Sequence, residues 1–190
     1  MKHLYASGVA ALLLGLAFAG CGGGSSDTGI LDVKLTDAPV DFDAVFVTID
    51  HVDVHRADQF SESNESNTSE AGWITVADVN GTYDLLTLQD GNLTQIGIAT
   101  IPAAKYTQMR LYLAAESNDT ALHPYGNYVV IDGNATELTV PSMFVRENHN
   151  FIMAADGNMT MTIDFDANRS VHSTGNGGWT LKPVLHVETK

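Results

Sequence analysis

Phe42–Arg56, FDAVFVTIDHVDVHR, decides the fold. It is the longest apolar, β-branched run downstream of the N-terminal leader. Alternate residues of a strand point to opposite faces. Phe42, Ala44, Phe46, Val52 and Val54 share one parity. Val45, Val47 and Ile49 fill the other until it turns polar at His51, Asp53 and His55. The first half reads as a strand buried on both sides, in the centre of a sandwich. The second half reads as buried on one side only, running out to an edge.

The segments around it carry the same period. Leu31, Val33 and Leu35 alternate with Asp32, Lys34 and Thr36, and Asp37-Ala38-Pro39 closes that strand as a turn. Trp73–Ala77 is a short strand; Tyr83–Leu88 is either a strand or a turn of helix. In Lys105–Leu113 the sequence places Thr107, Met109, Leu111 and Leu113 inward and Tyr106, Gln108, Arg110 and Tyr112 outward. Asp132-Gly133 and Asp156-Gly157 are hairpin signals, because both turn residues need positive φ. Trp179–Val187 contains Pro183, which predicts an edge strand or a bulge. Ala57–Gly72 is polar and predicts a long exposed loop. No stretch shows a 3.6 period. The chain is therefore read as all-β, a single antiparallel β-sandwich of the immunoglobulin or transthyretin kind.

Before that domain stands a leader. Lys2 precedes the apolar stretch Ala6–Ala19, which is long enough for a signal peptide and too short to span a bilayer. It ends in Ala19-Gly20-Cys21, a sequence that resembles a bacterial lipobox. Residues 1–20 are read as a lipoprotein signal peptide, 21–28 as a lipidated Cys21 with a Gly/Ser tether, and 29–190 as the β-sandwich. Cys21 is the only cysteine of the chain, so no disulfide can form within it. Gly22 after it, rather than an acid, suggests sorting to the outer membrane. The formal net charge is -14, which argues against nucleic acid or an anionic headgroup surface as partner.

A family resemblance is carried by several separate segments. They are Leu35-Thr-Asp-Ala-Pro39, Phe42-Asp-Ala-Val45, Val54-His-Arg56, Tyr83-Asp-Leu-Leu86, Tyr106-Thr-Gln-Met-Arg-Leu111, Asp164-Phe-Asp-Ala167, Ser170-Val-His172 and Leu181-Lys-Pro-Val184. Together they resemble the prokaryotic lipoprotein family catalogued as domain of unknown function 4382. The resemblance implies a lipoprotein or secreted protein with a β-sandwich. It brings no catalytic residue with it.

Two constellations bear on function. His51-Val-Asp53-Val-His55 sets three ligand types on one strand face, where a Zn or Cu ion could be shared with His123, His149, His172 or His186. A solvated strand end in which His and Asp pair is the plainer reading. The second constellation is eight Asn-x-Ser/Thr sequons, at Asn64, Asn67, Asn80, Asn92, Asn118, Asn134, Asn158 and Asn168. Each carries Asp or Glu two residues earlier, in a pattern similar to the acceptor of the bacterial oligosaccharyltransferase. Crowding of Asp, Gly, Asn and Thr into turns is the competing account. No nucleophile, cofactor or closed metal motif stands out, and Gly-x-Ser-x-Gly is absent. The expected role is non-enzymatic: an envelope lipoprotein, N-glycosylated, displaying a sandwich for adhesion, binding or envelope structure. Its protein or carbohydrate partner is not legible, and a periplasmic metal-binding protein is the alternative.

Overall fold

A computed structural model describes residues 27–37, 41–57 and 72–190. Cys21, tether residues 22–26, Pro39 and residues 58–71 of the predicted loop, with Asn64 and Asn67, lie outside them; Thr28, expected to end the tether, opens the first strand. Among the described residues thirteen strands follow one another: β1 (Thr28–Asp37), β2 (Ala44–Arg56), β3 (Trp73–Asp84), β4 (Thr94–Pro102), β5 (Ala104–Leu113), β6 (Tyr128–Ile131), β7 (Asn134–Thr139), β8 (Phe144–Glu147), β9 (Phe151–Met153), β10 (Asn158–Phe165), β11 (Val171–Ser173), β12 (Trp179–Leu181) and β13 (Leu185–Thr189). A 3₁₀ turn, Leu85–Leu88, follows β3, and a single helical turn, α1 (Ala167–Ser170), follows β10.

The strands form two open sheets. The smaller has the order β13-β10-β1-β4. The larger runs β11-β12-β7-β6-β2-β5-β8, with β3 on β2 and β9 on β5. Leu31, Val33, Leu35, Met161, Ile163 and Phe165 of the first sheet meet Val45, Val47, Ile49, Val52, Val54, Met109 and Leu111 of the second in one core, all fully buried. This is the all-β sandwich expected from the alternation. It is mixed rather than purely antiparallel, because β1 pairs with β10, and β7 with β12, in parallel.

β2 lies in the middle of the larger sheet, but its second half does not run to an edge. It pairs with β3 through His55 and with β5 through Arg56. Ile49 faces Leu113 and His51 faces Tyr112, so Asp50 is an extra residue on β2. Such a bulge reverses the parity. Val45, Val47, Ile49, Val52 and Val54 therefore all face the core, and Phe46 does not share a face with Val52. A second irregularity explains another difference. His55 faces Gln108 and Arg56 faces Tyr106, leaving Thr107 extra on β5. Tyr106 is thereby fully buried rather than outward, stacked on Phe151 at 4.8 Å, and its hydroxyl donates to the Pro102 carbonyl at 3.0 Å.

Of the two Asp-Gly turns, one forms the expected hairpin and the other does not. Asp132 (φ 50°) and Gly133 (φ 73°) make the two-residue hairpin between β6 and β7. Asp156 has φ 55°, but β9 belongs to the larger sheet and β10 to the smaller. The turn is a crossover, held by Asp156 N–H to the Thr28 carbonyl and Ile30 N–H to the Gly157 carbonyl, both 2.8 Å. β3 runs from Trp73 on to Asp84, past the end expected at Ala77. Pro183 divides the last run into β12 and β13, which lie in different sheets; β13 is an edge strand.

On the outer side of the smaller sheet, Asp164 sits between Thr36 and His186. Its Oδ1 is buried without a hydrogen-bond partner. Burial, followed by the charges of Asp166 and Glu188, raises its carboxyl above the ordinary value, with His186 opposing. A raised native pKa means that the ionised form costs stability above that pKa, and the cost vanishes below the unfolded value. Asp164→Asn should raise the melting temperature at neutral pH. The gain should shrink as pH falls through the carboxylate range toward about 3, which calorimetry across pH will check.

Candidate functional site

The bulge at Asp50 sends His51, Asp53 and His55 to the outer face of the larger sheet. The register then writes rows across β3, β2, β5 and β8. His51 lies opposite Tyr112, and Tyr112 opposite Phe144. Asp53 lies opposite Thr75 and Arg110, and Arg110 opposite Arg146. His55 lies opposite Trp73 and Gln108.

The rows are in contact. His51 stacks on Tyr112 with centroids 4.0 Å apart, and Tyr112 meets Phe144 at 5.4 Å. The Arg110 guanidinium lies 3.7 Å over the Trp73 ring and 5.6 Å from Phe144. Arg146 approaches the same Trp73 ring at 5.7 Å. His55 meets Trp73 edge-on at 4.9 Å. Beside them the Gln108 amide donates to Asn148 Oδ1 at 3.1 Å. Arg110, expected to point into solvent, is only 4% exposed because the indole covers it.

The three proposed metal ligands do not converge. His51 Nε2 is 3.7 Å from Asp53 Oδ2, but its Nδ1 is taken by Asp50 Oδ2 at 2.8 Å. Asp53 is buried and accepts from the Thr75 hydroxyl at 2.8 Å. His55 turns to Trp73 and to the Thr107 hydroxyl, 3.4 Å away. The other histidines lie apart. His123 is against the Tyr128 hydroxyl at 2.9 Å, His149 against Thr189 at 3.2 Å, and His186 near Glu188 at 3.7 Å, while His172 is exposed on β11. Among the described residues no group of three or more His, Cys, Asp or Glu is arranged to hold a metal ion.

The sequons within the described residues present their asparagines outward. Asn80, Asn92, Asn118, Asn134, Asn158 and Asn168 are all exposed. Asn134 and Asn158 open β7 and β10, each paired on one side only. Asn80 falls at an irregularity of β3 with φ 44°. The acids two residues earlier have local structural roles. Asp90, Asp132 and Asp156 adopt positive φ, in turns that Gly continues. Asp78 accepts from the Asn80 amide at 2.6 Å. Asp166 caps α1 by accepting from Arg169 N–H at 2.9 Å. The acid offset is thus in large part turn and cap chemistry. Ser170 differs from the other sequon hydroxyls. It is fully buried, donating to the Asp166 carbonyl and accepting from Val184 N–H.

Residues 28–183 match the family described as Domain of unknown function (DUF4382). The chain belongs to the DUF4382 family. No curated protein and no solved structure matches it. Among the described residues of this DUF4382 domain, no helix is long and apolar enough to cross a membrane.

The sequence reading missed the aromatic and guanidinium side of the face. Phe144 and Arg146 lie on β8, a segment for which the sequence reading names no element. The alternation Phe144, Arg146, Asn148 was the available signal. Asp53 serves this face as a buried acceptor for the Thr75 hydroxyl, which is itself exposed and can turn to water when the carboxylate is gone. Asp53→Ala should cost about 0.5–1.5 kcal/mol in urea unfolding, while Asp50→Ala, at a half-exposed carboxylate, should cost less.

Proposed function

We propose that this DUF4382 protein is a non-enzymatic cell-envelope lipoprotein, anchored by acylated Cys21 at the outer membrane, that displays an N-glycosylated β-sandwich for binding or adhesion. The observation that carries the reading is the placement of the sequons. Every described sequon asparagine is exposed, and none lies within a strand segment paired on both sides. A strand sets residues i and i+2 on one face. After the turns at Asp132 and Asp156, the amide and the hydroxyl of the sequon therefore point the same way, open to an enzyme. The lipobox-like Ala19-Gly20-Cys21 supports the anchor, and several acyl chains on one cysteine hold stably. Hydrophilic glycans over the turns would mask strand edges against pairing with other chains.

Mass spectrometry of protein from the native membrane fraction tests both parts. The expected N-terminal peptide begins at Cys21 and carries acyl chains; an intact leader or an unmodified Cys21 refutes the anchor. If the sandwich is modified once folded, glycan occupancy should be higher at Asn92, Asn134 and Asn158 than at Asn168, whose Ser170 is buried. Unmodified peptides at all eight sequons refute glycosylation.

A further inference from the structure

We infer that the outer face of the larger sheet, centred on Tyr112, Phe144 and Arg146, binds a carboxylated saccharide. The inference deepens the binding role proposed above and rests on it in one respect: it names the ligand class of a displayed domain. Three separate observations support it.

The first is the chemistry of the side chains. Phe144, 41% exposed at the end of the aromatic row, offers its ring to solvent, and half-buried Tyr112, itself stacked on His51, backs it. Ring faces carry negative quadrupole density, which suits the slightly positive C–H face of a pyranose. The Gln108 and Asn148 amides, on the same side of β5 and just beyond β8, supply donors and acceptors for hydroxyls. Arg146, exposed on β8, offers the forked donor set that matches a carboxylate.

The second is charge. The chain as a whole is strongly acidic, yet β2, β5 and β8 carry four of its nine Lys and Arg (Arg56, Lys105, Arg110 and Arg146) against three acids (Asp50, Asp53 and Glu147). Arg110 and Arg146 lie directly opposite one another, with Asp53 on the other side of Arg110, so the row reads acid, base, base and Arg146 is the cation farther from that carboxylate. Trp73 holds both guanidinium groups near its ring. A carboxylate placed at Arg146 completes the alternation of charge along the row. A dense polyphosphate gains the same local contact, but the acidic remainder of the domain repels it more strongly. A short uronate, with one charge per ring, fits the face better.

The third is the sequon map. No Asn-x-Ser/Thr asparagine falls on β2, β5, β8 or β9. The sequons on described elements lie on β3, β7, β10, α1 and the segments that precede β4 and β6. The face around Tyr112 and Phe144 carries none of its own.

The test uses the full chain, purified in detergent from a host without an oligosaccharyltransferase. Tetramers of galacturonic, mannuronic and glucuronic acid are titrated by calorimetry, with the methyl-esterified tetramers and inorganic polyphosphate alongside. At least one uronate should bind with one-to-one stoichiometry. Methyl esterification should weaken it about tenfold, the scale of one charge-assisted contact. Arg146→Ala and Phe144→Ala should each weaken it about tenfold; Arg146→Lys should lose less, keeping the charge but not the fork. Arg169→Ala, on α1, should change nothing. Phe144 and Arg146 are exposed, so cooperative melting of the variants verifies their fold. Binding of no uronate overturns the inference. So does equal affinity for polyphosphate, or unchanged affinity in Arg146→Ala and Phe144→Ala. Because this protein carries no glycans, its result and the glycopeptide result stand or fall separately.

Discussion

The extra residue at Asp50 is the constraint on which both faces of the larger sheet depend. A one-residue slip in a strand moves every following side chain to the other face. Without the bulge, Val52 and Val54 would leave the core and His51, Asp53 and His55 would enter it. Burying a valine is worth about 1.5–3 kcal/mol, and burying an unmatched carboxylate costs more than that. The bulge satisfies both demands within one strand. It also lines His51 up with Tyr112, so the aromatic row across β2, β5 and β8 exists only in this register.

The sequence revealed the class of the fold through alternation at Leu31–Leu35, Met109–Leu113 and Met161–Phe165, all of which the core confirms. It did not reveal where the parity breaks. The change from Val45, Val47 and Ile49 to Val52 and Val54 was visible, but it was taken for burial on two sides, because a bulge leaves no residue signature of its own at Asp50. Asp156-Gly157 carried the same two letters as the hairpin at Asp132-Gly133. Which strand lies next to β10 is decided by tertiary packing with β1, beyond the reach of a local pattern. The candidate face was half legible. The histidines and Asp53 were seen; Trp73, Phe144 and Arg146 join them only through cross-strand register.

The acid-Asn spacing illustrates how one local chemistry can serve two ends. An aspartate tolerates positive φ and ends a strand, and the next strand then begins with an exposed asparagine and a threonine on the same side. At Asp132 and Asp156 the fold needs the aspartate for the turn whether or not a sugar follows. At Asp166 the carboxylate is committed to the helix cap, and Ser170 to the backbone around Val184. What turn geometry does not require is the threonine or serine two positions further on.

The parallel pairing of β1 with β10 has a consequence for how the chain acquires its structure. β1 is the first of the described strands in chain order, yet it lies in the interior of its sheet, between β10 and β4. The Asp37 carboxylate receives the Ala167 N–H from 130 residues away. Until β10 has been synthesised, β1 has no partner on that side. Its Leu31, Val33 and Leu35 wait with only β4 to pair with. Loop closure over such a span is entropically slow, and topologies rich in distant contacts fold late. The domain is therefore one that completes its smaller sheet only after nearly all of the chain is available. Until then the apolar residues of β1 stay open to other chains.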